Sequence, residues 1–97
     1  MSEPAIGFIG GGNMATAIIR GLLARGVGAE RIAVSDPDAG RREALAALLP
    51  GGRVSEDNAT VAGAADVLVL SVKPQMMAEV LPPLADTVQA SEPLVVS

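Results

Sequence analysis

Six residues near the start of the chain, Gly10-Gly11-Gly12-Asn13-Met14-Ala15, have the types and spacing to hold a diphosphate. They follow the apolar run Ala5-Ile6-Gly7-Phe8-Ile9 and precede an amphipathic pattern, so they read as the turn between a strand and a helix. The spacing is G-x-G-x-x-A, and the flanks make it far more specific than the string alone. Gly10 can adopt the backbone angles of a tight turn because it has no Cβ. Gly12 leaves room for a pyrophosphate to touch the main chain, and Ala15 is small enough for the helix to lie close to the strand. The first N–H groups of such a helix have no intrahelical partner. An anion supplies the missing acceptors and meets the positive end of the helix dipole.

Further along, Asp36 lies about 20 residues past this turn, where dinucleotide-binding sheets meet the adenosine ribose. A carboxylate there accepts hydrogen bonds from ribose hydroxyls, favours NAD and repels the extra phosphate of NADP. Arg41 and Arg42 sit just beyond, and a guanidinium there can clamp a 2′-phosphate. Both cofactors, NADP and NAD, therefore stay open. The plainer alternative is that Asp36 opens a turn before Pro37 while both arginines are solvated. Lys73 is the only lysine among seven basic residues. Pro74 biases it toward an extended backbone, so Ser71-Val72-Lys73-Pro74 is expected to line the pocket near the nicotinamide end, unless Lys73 is simply a surface residue at a strand end. Asn13 is expected to cap the first helix before contacting any ligand, and Asn58 to cap a later one and only secondarily to neighbour a cofactor. Met14, Met76 and Met77 are more readily core or cover than cofactor contacts.

Composition narrows the rest. The 97 residues suffice for one modest domain, 1–97, and 49% of them are apolar, which favours a packed core over disorder. Phe8 is the only aromatic residue, so stacking platforms for single-stranded nucleic acid are missing. The net charge of −4 also argues against nucleic acid as a partner. With no Cys and no His, thiolate and imidazole metal sites, disulfides and His-based catalysis are excluded, so no metal site and no catalytic residue are assigned. No apolar run approaches the ~20 residues of a membrane span, and the opening residues lack a signal-peptide pattern. A cytoplasmic location, away from membranes, is the expectation.

These residues need a frame. Strand one is expected at Ala5–Ile9 and helix one from about Asn13 to Arg25, with a stripe of Met14, Ile18 and Leu22 flanked by Ile19 and Leu23. Strand two is expected at Arg31–Ser35 and helix two from Asp38 or Ala39 to Leu49, with Leu45, Leu48 and Leu49 facing inward. Arg53–Ser55 reads as a short strand, Asn58–Gly63 as a brief helix and Asp66–Val72 as the strongest strand of the chain. A fourth helix is expected from Pro74 or Gln75, interrupted at Pro82-Pro83, with a fifth strand at Pro93–Ser97. This alternation implies an α/β, doubly wound parallel sheet in the order 3-2-1-4-5, with right-handed crossovers. Strands one and four then lie side by side at the topological switch point, which makes the glycine turn and Ser71–Pro74 neighbours.

The run Ile6-Gly7-Phe8-Ile9-Gly10-Gly11-Gly12-Asn13-Met14-Ala15, with Ala17-Ile18 and Gly21-Leu22, resembles the pyrroline-5-carboxylate reductase family. So do Ser71-Val72-Lys73-Pro74-Gln75, Ser35-Asp36-Pro37 and the region of Asn58. The resemblance implies a Rossmann-like, dinucleotide-binding domain of an enzyme that reduces the C=N bond of 1-pyrroline-5-carboxylate with NADPH or NADH to give L-proline. It implies that Gly10, Gly11, Gly12, Asn13, Met14 and Ala15 hold the pyrophosphate. It further implies that Asp36 and Pro37 flank the adenosine ribose, that Asn58 touches the adenosine side, and that Ser71, Val72, Lys73 and Pro74 border the nicotinamide half. Gly11 stands where the family commonly has Ala, a change expected to cost flexibility rather than chemistry. The family's C-terminal helical domain, which dimerises, binds the substrate carboxylate and supplies a proton donor, has no counterpart in these residues. The 97 residues alone are thus expected to hold cofactor without turnover, and the full-length form to be a homo-oligomer. The alternatives are the cofactor domain of a β-hydroxyacid-type dehydrogenase and a non-enzymatic nucleotide-sensing module.

Overall fold

β1 (Ile6–Ile9) is apolar on both faces, and Gly7, Phe8 and Ile9 are all buried. A strand with two apolar faces belongs in the middle of a sheet covered by helices on both sides. A computed structural model, which describes residues 3–96, places it there. The sheet has five parallel strands in the order β3-β2-β1-β4-β5, as the alternation predicts. The other strands are β2 (Ile32–Ser35), β3 (Arg53–Ser55), β4 (Val67–Leu70) and β5 (Leu94–Val96). Phe8 stands opposite Val34 and Val69, and Ile9 opposite Ser35 and Leu70. The carboxyl ends of β1, β2 and β4 therefore finish level, and the turns that leave them are brought together.

The four helices are α1 (Asn13–Ala24), α2 (Ala39–Leu48), α3 (Asn58–Ala64) and α4 (Pro74–Ser91). Side chains alternate across a strand, and β1 feeds two cores accordingly. Phe8 packs with Ala15 and Ile19 of α1 and with Leu45 and Leu49 at α2. Ile9 packs on the other face with Val61 and Ala62 of α3, Leu68 and Leu70 of β4, and Leu84 of α4. Gly7 permits the second face to close. A Cβ there would come within 2.9 Å of both Ala65 Cβ and Val61 Cγ1.

Several details differ from the sequence expectations, each for a physical reason. The buried stripe of α1 is Ala15 and Ile19, with Leu22 and Leu23 partly buried, whereas Met14 (63% exposed) and Ile18 (38%) face outward. Ala15 leads the stripe because the helix approaches β1 through its smallest side chain. β2 starts at Ile32, since Ala29–Arg31 forms one tight helical turn. β4 is shorter than expected, Val67–Leu70. Asn13 is not the cap of α1. Gly12 holds that position without a side-chain bond. Nor is Asn58 a cap, because Asp57 accepts the Ala59 N–H in its place. Pro82 and Pro83 lie inside a continuous α4. Proline removes the bond to the carbonyl four residues back. Here Ala78, Glu79, Pro82 and Pro83 are all exposed, so the freed carbonyls lie on the solvent side. Leu84, 2% exposed, anchors the helix just beyond. Ser97, expected in the last strand, lies outside the described residues.

Candidate functional site

The glycine turn leaves β1 in a conformation that only glycine adopts without strain. Gly10 has φ +96°, and a Cβ on it would come within 2.9 Å of Val72 Cγ1 and 3.1 Å of the Ser71 carbonyl. The turn is fixed on both sides by main-chain bonds to neighbouring strands. The Gly10 N–H donates to the Ser35 carbonyl at 2.8 Å, and the Ser71 N–H donates to the Ile9 carbonyl at 2.9 Å. Gly12 is different. The only neighbour a Cβ there would meet within 4 Å is an Arg41 guanidinium nitrogen, at 3.9 Å. The start of α1 is thus bare main chain, without a side-chain cap and without an acidic residue in its first turn. That is the arrangement an anion completes. Asn13 and Met14 are exposed beside it, and Ala15 is buried beneath.

Ser71, Val72, Lys73 and Pro74 pass directly alongside. The Ser71 hydroxyl donates to the Gly10 carbonyl at 2.7 Å and to the Ile9 carbonyl at 3.0 Å, stapling the end of β4 to the glycine turn. Val72 abuts Gly10. Lys73 is exposed and extended, at the amino end of α4, and Pro74 occupies the first helical position. On the other flank, the fully buried Ser35 donates its hydroxyl to Asn58 Oδ1 at 2.6 Å. This leaves the Asn58 amide hydrogens free of that bond. The structure therefore gathers the glycine turn, Ser71–Pro74 and Asn58 around the carboxyl ends of β1, β2 and β4. The Ser35–Asn58 bond escaped sequence reading because its partners are far apart along the chain.

Asp36 is present at the expected place but faces inward. It is 2% exposed. One carboxylate oxygen accepts the Gly11 N–H at 2.9 Å, and the other accepts the Asp38 N–H at 2.8 Å. It serves the main chain of the turn, and a ribose hydroxyl would have to compete with those donors. Pro37, next to it, is exposed. Gly11 is also more constrained than expected. A Cβ there would collide with Leu45 Cδ1 in the core, so its lack of a side chain serves packing as well as flexibility. The two arginines separate. Arg42 donates to the Asp36 and Pro37 carbonyls at 3.0 and 2.9 Å. Arg41 is 61% exposed, with its guanidinium 3.7 Å from Asp36 Oδ2. It borders a concavity of about 170 Å³ that also takes in Gly12, Asn13, Thr16 and Arg20. Thr16 and Arg20 carry no motif of their own. Their position one and two turns into α1 is the signal that could have found them.

Among the described residues no group of three or more His, Cys, Asp or Glu side chains could hold a metal ion, and no helix is long and apolar enough to cross a membrane. The groups that could meet a ligand are main-chain amides, small polar side chains and guanidinium cations. Such a set binds and orients an anionic cofactor. It offers no evident proton donor for a substrate.

Comparison with known proteins agrees with this reading of the fold. Residues 5–97 match the family described as NADP oxidoreductase, coenzyme F420-dependent. A pyrroline-5-carboxylate reductase of Haemophilus influenzae is 50% identical over 97 residues, covering 100% of this chain and 35% of that protein. The structure of a pyrroline-5-carboxylate reductase from Coxiella burnetii superposes with a TM-score of 0.89 at 36% identity, over 97% of this chain and 34% of that one. The same fold, at 22% identity and a TM-score of 0.76, occurs in a Plasmodium falciparum pyrroline carboxylate reductase with NADP bound, covering 98% of this chain and 33% of that one. The chain thus spans about a third of the length of these relatives. It belongs to the NADP oxidoreductase, coenzyme F420-dependent, family.

Proposed function

We propose that residues 1–97 are the dinucleotide-holding domain of an NAD(P)H-dependent imine reductase that converts 1-pyrroline-5-carboxylate to L-proline. The observation that carries this reading is the bare turn at Gly10–Gly12, open at the amino end of α1 and pinned on both flanks. The similarity to pyrroline-5-carboxylate reductases over the whole chain supplies the substrate class. Gly10 to Ala15 would hold the pyrophosphate, Asn58 and Pro37 would flank the adenosine side, and Ser71 to Pro74 would border the nicotinamide half. The nicotinamide supplies the hydride. The role of these residues is to hold and orient it, which is where much of the catalytic advantage of a positioned reactant originates.

An imine must also be held against the nicotinamide face and receive a proton on nitrogen. These residues offer no group for either task, so the chain by itself is expected to bind cofactor and turn nothing over. The test is a chimaera in which this chain replaces the matching third of the Haemophilus influenzae reductase. NAD(P)H oxidation dependent on 1-pyrroline-5-carboxylate supports the reading. A folded chimaera that binds dinucleotide but never reduces the imine would overturn it.

A further inference from the structure

We infer that Arg41 makes this site select a dinucleotide carrying a 2′-phosphate, NADP(H) over NAD(H). The inference rests on the cofactor reading above and specifies which cofactor. An acidic residue at the end of β2 ordinarily argues for the opposite choice, because it accepts from ribose hydroxyls and repels a phosphate. Here that carboxylate is 2% exposed, and both of its oxygens already accept main-chain N–H groups, from Gly11 and Asp38. Its charge is turned into the protein and lies 3.7 Å from a guanidinium. What faces outward at this point is Arg41.

The geometry singles out Arg41 from its neighbour. Arg42 is held by two main-chain carbonyls and supports the β2–α2 connection. Arg41 has only the long contact to Asp36, and its guanidinium borders Gly12, beside the turn that would receive the phosphates. Arg20 lines the same concavity from α1. Two of the seven basic residues of a chain with net charge −4 thus converge on one small hollow. The only acidic side chain beside it is the buried Asp36, since the lining includes no other Asp or Glu. A planar guanidinium that is largely exposed can turn toward a phosphate and bind it through two parallel N–H groups.

The experiment is calorimetric titration of the chain with NADPH and with NADH, for the wild type, Arg41→Gln and Arg41→Lys, with circular dichroism to confirm that each is folded. We expect NADPH to bind at least about tenfold more tightly than NADH, as one charge-assisted contact supports. Arg41→Gln should bring the two affinities to within about threefold, and Arg41→Lys should lie between, because an ammonium keeps the charge but loses the planar fork. The wild-type ratio should also shrink as salt is raised, since the contact is exposed. Equal affinities in the wild type, or a ratio that Arg41→Gln leaves unchanged, would overturn the inference while the cofactor reading stands. A folded chain that binds neither dinucleotide would overturn both.

Discussion

At the scale of single residues, the site depends on groups that do no chemistry themselves. Asp36 holds two N–H groups that would otherwise be buried without partners, one of them in the glycine turn. Removing a buried acceptor leaves its donors unsatisfied, which costs more than the net worth of the bonds. Asp36→Ala is therefore expected to lower stability by about 1–3 kcal/mol. Urea denaturation followed by circular dichroism reads this directly. A loss within the error of the extrapolation would mean that the two donors find water instead. The glycine positions were legible in the sequence because their requirement is local. A left-handed φ at Gly10 and an uncluttered Gly12 follow from the strand–turn–helix pattern itself. The direction of Asp36 was not legible. Its partner, Gly11, is separated from it by 25 positions, and only the folded sheet decides whether the carboxylate meets a ligand or the main chain.

At the scale of elements, the sequence placed every helix and strand but not the details of their ends. Where Asp57 and Asn58 stand together, either can cap, and the choice falls on the one whose side chain reaches Ala59 N–H and the Thr60 hydroxyl. In α4, the local rule that a proline pair ends a helix yields to packing. Val80, Leu84 and Val88 recur on the face that meets the sheet, and the prolines lie on the other. The cap of α3 has a measurable consequence. The Thr60 hydroxyl, and after it the Ala59 N–H, favour the charged form of Asp57 and hold its carboxyl below the ordinary 3.8. An acid lowered in this way stabilises the folded state fully above pH 3.8, and that contribution fades as the pH falls through the folded-state value beneath it. The stability difference between wild type and Asp57→Ala should then be largest at neutral pH and shrink on acidification below pH 3.8. Urea melts at stepped pH would show it. A difference constant down to the acid limit of the folded state would mean that the cap works without its charge.

At the scale of the whole molecule, one sheet carries two cores that do not touch except through it. The order 3-2-1-4-5 was legible because near-continuous apolar strands alternating with helical patterns leave few other solutions. The division of labour between the faces was less so, since it depends on which of two adjacent apolar residues in β1 points which way. Phe8 joins Ile19 beneath α1 and α2, and Ile9 joins Val61 and Leu84 beneath α3 and α4. The site sits where both cores end, so its turn is supported from each side independently. If residues 1–97 fold as one cooperative unit with two separable faces, trimming one methyl from each face should give independent losses. Ile9→Val and Ile19→Val are each expected to cost about 0.5–1.5 kcal/mol. The double variant should lose the sum of the two within about 0.5 kcal/mol, because the residues share no packing partners. It should still unfold in a single urea transition. A second transition would mean that the faces melt separately. A deficit well beyond the sum would mean that strain crosses β1, and that the glycine turn at its end feels the packing of both layers at once.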